Sequence, residues 1–241
     1  MCLIQHPLCQ RTGKRIQPDS RQYGGWVTDT ETTNRVAVLG ATGKVGGLFV
    51  AEALSAGYKL RVLVRSPDKL QPSEHPMIEV SVGDARSYDD VAAIVAGSDV
   101  VVSCLGNVGD LLLMEAAANN VLTAAAAQSE PPRCIFISSI GMGDSSWLIG
   151  RLLRIIGGKA SFEDYDRADA RIRAEETVPF VLVRPAALND KPGTGKYRAS
   201  DTWKGTFARP IPRADVAKFL VDAVADKGWD RKPGVQIGGK K

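Results

Sequence analysis

Histidine is nearly absent from this chain: of 241 residues only His6 and His75 carry an imidazole. His6 falls in an unpatterned N-terminal stretch and His75 beside Pro76 in a loop, so neither a histidine-ligated zinc centre nor a histidine-based triad has the residues it needs. The four cysteines, Cys2, Cys9, Cys104 and Cys134, show no paired metal spacing, and two of them lie in apolar strand sequences. They read as small core or tail residues of a reducing compartment, and no metal is expected. Long apolar runs are missing as well. The longest candidate, Leu111 to Ala127, is broken by Glu115, Asn119 and Asn120, and falls short of the roughly 20 apolar residues of a membrane span. A soluble, cytoplasmic chain without membrane contact is expected, with organelle import by the N-terminal segment as the alternative. The formal net charge is only +4, with basic residues spread along the chain, which argues against nucleic acid as a partner. Lysine is missing at one further place. None of the tyrosines, Tyr23, Tyr58, Tyr88, Tyr165 and Tyr197, has lysine four residues on, so the ammonium that lowers a tyrosine pKa for proton exchange with an alcohol or ketone has no counterpart. Tyr165 has Asp169 in that place.

What is present begins at Val36-Ala37-Val38-Leu39, a β-branched strand running into Gly40-Ala41-Thr42-Gly43-Lys44-Val45-Gly46-Gly47. The glycines have distinct duties: Gly40 for the tight turn, Gly43 for close approach of backbone to a pyrophosphate, and Gly46 for packing of the helix on the strand. Free N–H groups and the positive dipole end of that helix then face the phosphates. Gly40, Ala41, Thr42, Gly43, Lys44 and Val45 are therefore the expected cradle of a dinucleotide. The next strand, Leu60 to Arg65, ends in Arg65, where a site for the unphosphorylated cofactor carries an acid for the ribose 2′-hydroxyl. Arg65, Ser66 and Lys69 offer a planar fork, a hydroxyl and a point charge to a 2′-phosphate, which points to NADP(H).

Downstream, strands and helices keep alternating: strand Ile78 to Val82, a helix capped by Ser87, strand Asp99 to Cys104, an alanine-rich helix from Leu111 to Ala127, and strand Cys134 to Ser138. A helix from Phe162 to Glu176, strand Phe180 to Arg184, helix Arg213 to Ala225 and strand Val235 to Ile237 follow. The pattern predicts α/β architecture, a single Rossmann-type doubly wound parallel sheet of six or seven strands with helices on both faces. Ligands of such a sheet lie across the carboxyl ends of its strands, which adds Asp84 with Ala85, then Leu105, Gly106 and Asn107, then Ser138 and Ser139, and finally Pro185, Ala186 and Ala187. Asp84 is placed for an adenine amino group or for an ordinary turn. Tyr165 and Asp166 lie near the expected pocket mouth, either as site residues or as a solvated helix start with Asp169 and Arg173 as an i,i+4 pair. The loop from Gly141 to Ala160, with Trp147 and Leu148, is a candidate roof. Residues 1–33, with Pro7, Pro18 and four basic residues but no periodicity, read as a poorly ordered extension of the domain at 34–241.

Gly40-Ala41-Thr42-Gly43, Val62-Leu63-Val64-Arg65, Val82-Gly83-Asp84, Val95-Ala96-Gly97, Asp190 to Tyr197 and Arg213-Ala214-Asp215-Val216-Ala217 together resemble the atypical short-chain dehydrogenase/reductases. Within these the chain is most similar to the biliverdin-IXβ/flavin reductase group, from about residue 35 to its end. The resemblance implies NADPH at the positions named and places Ser139 on the serine that faces nicotinamide and substrate, with Tyr165 and Asp166 as further catalytic candidates. The histidines that border the substrate pocket of that group fall at Asp166 and Ala187 here, so tetrapyrrole and flavin specificity are not implied. Two functions are expected: an NADPH-dependent oxidoreductase acting on a small conjugated acceptor such as a quinone or flavin, or a non-catalytic NADP(H)-binding redox sensor or assembly factor. The partner is a small-molecule substrate, and the chain a monomer or small homo-oligomer.

Overall fold

The computed structural model describes residues 35–106, 112–142, 159–202 and 209–240, all within one compact unit that begins at Thr32. The extension at 1–33, Asn107 and most of the candidate roof, Trp147 and Leu148 included, lie outside the described residues. An eight-stranded sheet forms the middle layer. Its strands are β1 (Arg35–Leu39), β2 (Lys59–Val64), β3 (Ile78–Val82), β4 (Val100–Ser103), β5 (Arg133–Ile137), β6 (Phe180–Pro185), β8 (Tyr197–Ser200) and β10 (Val235–Gly239), in the order β3-β2-β1-β4-β5-β6-β10-β8. The neighbours from β3 to β10 run parallel, as expected. β8 joins β10 antiparallel and makes the sheet larger than the six or seven strands expected. Two short strands, β7 (Leu188–Asn189) and β9 (Ile211–Pro212), pair beside it.

Each buried strand carries apolar residues on alternate faces, so each face needs a cover. Val36, Val38, Ile135, Ile137, Val181 and Val183 pack with Phe49 and Val50 of α1 (Lys44–Ser55) and with Phe219 and Leu220 of the last helix, α5 (Arg213–Ala225). Ala37, Leu39, Phe136 and Leu182 pack with α2 (Tyr88–Val95), α3 (Leu113–Ala126) and α4 (Lys159–Arg173). That makes five helices among the described residues, on both faces of the sheet.

Local chemistry sets the helix ends. Gly57, at φ +88°, closes α1: its N–H reaches the Leu54 carbonyl while the Tyr58 N–H reaches that of Ala53, the pairing of a Schellman cap. Ser87 caps α2 by accepting from the Asp90 N–H. α3 has no capping side chain of its own. Its first N–H groups, those of Met114 and Glu115, donate at 3.0 Å to Asp164, a fully buried carboxylate of α4. α4 begins at Lys159, three residues before the expected Phe162, so that one helix ties down the N-terminus of another.

Candidate functional site

Strand order reverses between β1 and β4, and in an open parallel sheet the ligand crevice lies at the carboxyl ends there. Gly40 leaves β1 at φ +78°, where a side chain is strained. A Cβ on Gly40 would lie 2.9 Å from the Cys104 carbonyl and the Leu105 nitrogen, so the turns after β1 and β4 touch at this residue. The Gly43 N–H donates to the Gly40 carbonyl at 3.0 Å, and a Cβ on Gly46 would sit 2.0 Å from that same oxygen. Gly46 is thus the residue that lets α1 lie against the turn. Gly43 precedes α1 in extended conformation, and the first turn of α1 has neither a capping side chain nor an acid. Its N–H groups stay open for an anion, and the glycine cradle fits a dinucleotide pyrophosphate.

Around this cradle the structure sorts the remaining candidates. Ala41 has its side chain in the core, leaving its backbone to the turn. Lys44, at the start of α1, pairs with Asp190 at 3.3 Å, and Asp190 also pairs with Arg213. The hydrogen bond from Lys44, then the charge of Arg213, hold the exposed Asp190 carboxyl below the usual carboxylate range. Because Leu39 pairs with Leu63 in register, Arg65 stands one step past the end of β2 beside the turn of β1, with Ser66 and Lys69 following on a 3-10 turn. Asp84 forms a turn in which its Oδ1 accepts the Arg86 N–H at 2.9 Å and its Oδ2 pairs with Arg86. Ala85 is buried, its carbonyl accepting from Asn120. Past β6, the Ala186 N–H is committed to the Ile237 carbonyl and its side chain is in the core, whereas Ala187 is exposed.

A second cluster lies further along the same edge, on the α3–α4 face. Ser138 follows β5, and its Oγ donates to Asp169 Oδ1 at 2.6 Å. Asp169 Oδ2 accepts from Arg184 Nη2 at 2.5 Å, both side chains being 1% exposed. The alternative of a solvated helix start is thereby corrected at Asp169, which is buried, although the charge of Arg173 still acts on it. One turn after Tyr165, Asp169 faces the sheet and meets an arginine at the end of a strand buried on both faces, a partner that makes a buried carboxylate tolerable. Burial pushes the Asp169 carboxyl up, while Arg184 and Ser138 pull it back. Arg184 in turn depends on Gly234, where a Cβ would lie 2.4 Å from Nη1.

Ser138, Asp169, Ser103, Met114, Phe136 and Tyr165 line a cavity of about 10 Å³, room for one water molecule. Tyr165 spans from it toward the β4 loop, since a Cβ on Gly106 would lie 3.7 Å from its Oη. It is Ser138, not Ser139, that lines the cavity: Ser139 is partly exposed and its Oγ donates to the Ile140 carbonyl at 3.2 Å. Asp166, next to Tyr165, is partly exposed and does not line the cavity. Sequence reasoning missed Arg184 and Ser103, and it missed the inward role of Asp169. The legible signal was an arginine inside Phe180-Val181-Leu182-Val183-Arg184-Pro185, since a charge in a doubly buried strand requires a counter-charge.

Among the described residues no helix is long and apolar enough to cross a membrane. The chain spans less than a third of the length of the first two curated relatives it matches. One is the glutamyl-tRNA reductase of Kineococcus radiotolerans, 30% identical over 146 residues, 55% of this chain and 30% of that protein. Among solved structures, the fold is similar to the anaerobillin reductase ChuY of Escherichia coli O157:H7, with a TM-score of 0.70 at 21% identity, covering 85% of this chain and 97% of that one. It is also similar to a short-chain dehydrogenase/reductase of Veillonella parvula in complex with NADP, with a TM-score of 0.71 at 17% identity, covering 86% and 94%. The family described as NAD(P)H-binding matches residues 40–227, a span that begins at the cradle glycine and runs past α5, and the chain belongs to it.

Proposed function

We propose that the chain is an NADPH-dependent reductase that passes hydride to a small conjugated acceptor, such as a quinone, a flavin or a conjugated carbonyl, without a tyrosine–lysine pair. One observation carries the reading. The carboxyl edge of one sheet carries both an uncapped helix N-terminus and a cavity lined by three hydroxyl groups, those of Ser103, Ser138 and Tyr165, with the buried carboxylate of Asp169 four residues after Tyr165 in the place of a lysine. The nicotinamide, when bound, supplies the hydride. The residues of the chain hold the acceptor against it and exclude water, so orientation and not acid–base exchange supplies the rate. Ser139 would at most place one hydrogen bond near the developing anion, and loss of its hydroxyl is expected to cost about ten- to a hundredfold in turnover.

Arg65, Ser66 and Lys69 at the end of β2 support a preference for the 2′-phosphate. A charge-assisted fork is worth about 1.5–3 kcal/mol, so NADPH should bind at least about tenfold more tightly than NADH, and Arg65→Ala should erase most of that difference. Titration of both cofactors against wild type and Arg65→Ala tests this; equal affinities in wild type overturn it. An NADPH-oxidation screen over quinones, flavins and conjugated carbonyls tests the reaction. Flat rates beside tight cofactor binding would overturn the reductase in favour of an NADP(H)-binding sensor.

A further inference from the structure

A carboxylate has two oxygens and can serve two cations at once. Asp190 does so: its Oδ1 accepts from Arg213 at the start of α5, and its Oδ2 accepts at 3.3 Å from Lys44, the first residue of α1. α1 brings neither a capping side chain nor an acid to its own first turn, so Asp190 is an anion brought from a distant segment to the helix end that the cofactor phosphates need. Its place is fixed on both sides. β7, which ends at Asn189, pairs with β9, and β9 runs directly into Arg213. On the other side, Gly193 lies against α5, where a Cβ would come within 2.9 Å of the Ala214 Cβ. The Thr194 N–H, the Thr194 hydroxyl and the Gly195 N–H then all donate at 2.8 Å to Asp215, a carboxylate that is 1% exposed. The two cations differ in their freedom. The side chain of Arg213 is 21% exposed and that of Lys44 71%, so Arg213 anchors Asp190, while Lys44 can leave it at small cost, as exposed ion pairs are weak.

We propose that Asp190 is an internal counter-anion that competes with the cofactor pyrophosphate for Lys44 and so sets cofactor affinity below what the cradle alone would give. In the free chain Asp190 neutralises the Lys44 ammonium. A pyrophosphate at the N-terminus of α1 draws that ammonium to itself, and the cost of breaking the pair is subtracted from binding. The pyrophosphate is common to both cofactors, so Asp190 acts on NADPH and NADH alike, whereas Arg65 is the residue that tells them apart. This rests on the reading that the cradle holds the pyrophosphate, and it requires neither turnover nor the 2′-phosphate preference.

The test is a calorimetric titration of the full chain with NADP+ and with NAD+, in dilute buffer and in about 1 M salt, where exposed charges are screened within about 3 Å. Asp190→Asn keeps the shape of an exposed side chain and removes its charge. In dilute buffer it is expected to bind both cofactors at least about threefold more tightly than wild type, with the ratio between the two cofactors unchanged, and the gain should fade in the salt. Lys44→Met should weaken both cofactors, and Asp190→Asn added to it should change their affinities by less than about 1.5-fold, because no ammonium is left to release. Unchanged or weaker binding in Asp190→Asn would show that Asp190 only fastens the loop, and overturns the proposal. A gain that survives in the Lys44→Met background, which is plain repulsion, or a gain for one cofactor alone, overturns it as well. Equal affinities of wild type for the two cofactors would overturn the Arg65 reading, and flat NADPH oxidation the reductase reading, while a gain in Asp190→Asn that depends on Lys44 leaves this one standing.

Discussion

Around β1 the site is made of backbone: a turn at positive φ, a carbonyl that allows no Cβ on Gly46, and helix N–H groups with no capping side chain. Around β5 and β6 it is made of side chains, with Ser138, Asp169 and Arg184 bonded in a row and buried. The two regions share one sheet edge but answer to different physics. The first tolerates almost any side chain that points away and no added atom where chain meets chain. The second tolerates no change in charge balance, because a buried ion without its partner costs far more than the pair contributes.

The largest effect is expected at the backbone end. Gly46→Ala puts a methyl group 2.0 Å from the Gly40 carbonyl, so α1 must shift off the turn. Cofactor affinity should fall by at least about a hundredfold, more than 2.7 kcal/mol, as read by NADPH fluorescence titration. Retained affinity would break the contrast drawn above. Next comes the side-chain end. Arg184→Met strands the Asp169 carboxylate and should lower unfolding free energy by about 3–5 kcal/mol, while Asp169→Asn added to it recovers much of the loss. Urea unfolding of the single and double variants checks this, and a double variant no better than the single one would show that packing, not charge, governs the region.

A smaller effect separates the Ser138–Asp169–Arg184 cluster from the helix that carries Asp169. Just beyond the end of α4, burial raises the Glu175 carboxyl. Hydrogen bonds from the Thr177 hydroxyl and N–H, from Arg171 and from the Val178 N–H outweigh burial and hold it at about 2. A depressed folded value means stability that is present above the ordinary carboxylate value and is lost as pH falls from there toward 2. Glu175→Gln should therefore be less stable than wild type by up to about 3 kcal/mol at pH 7, with the gap closing between about pH 5 and pH 2. A gap that does not change with pH would show that the contacts matter and the charge does not. The smallest effect is expected one residue from the largest. A Cβ on Gly47 would meet only the Ala41 carbonyl, at 3.7 Å, so Gly47→Ala should stabilise α1 by about 0.5–1 kcal/mol and leave cofactor affinity unchanged, as thermal melts and titration would show.

The amino-acid sequence by itself determined the parallel sheet, its two covers and the glycine cradle. Each of these rests on constraints that act between near neighbours: alternation of apolar residues along strands such as Val36 to Leu39, the helical spacing of Phe49, Val50 and Ala53, and the space that Gly40 and Gly46 leave by lacking a Cβ. The eighth strand escaped because its short, polar Tyr197–Ser200 segment pairs at an edge, where half-exposed residues need no alternating pattern. Tertiary structure alone decided which way Asp169 turns and which serine faces the cavity. Asp169 lies 31 residues from Ser138 and 15 from Arg184, and a helix pattern cannot say whether a carboxylate will meet water or a guanidinium. That depends on where α4 settles against the sheet, and Asp164, bonded to the first turn of α3, is one of the contacts that holds it there.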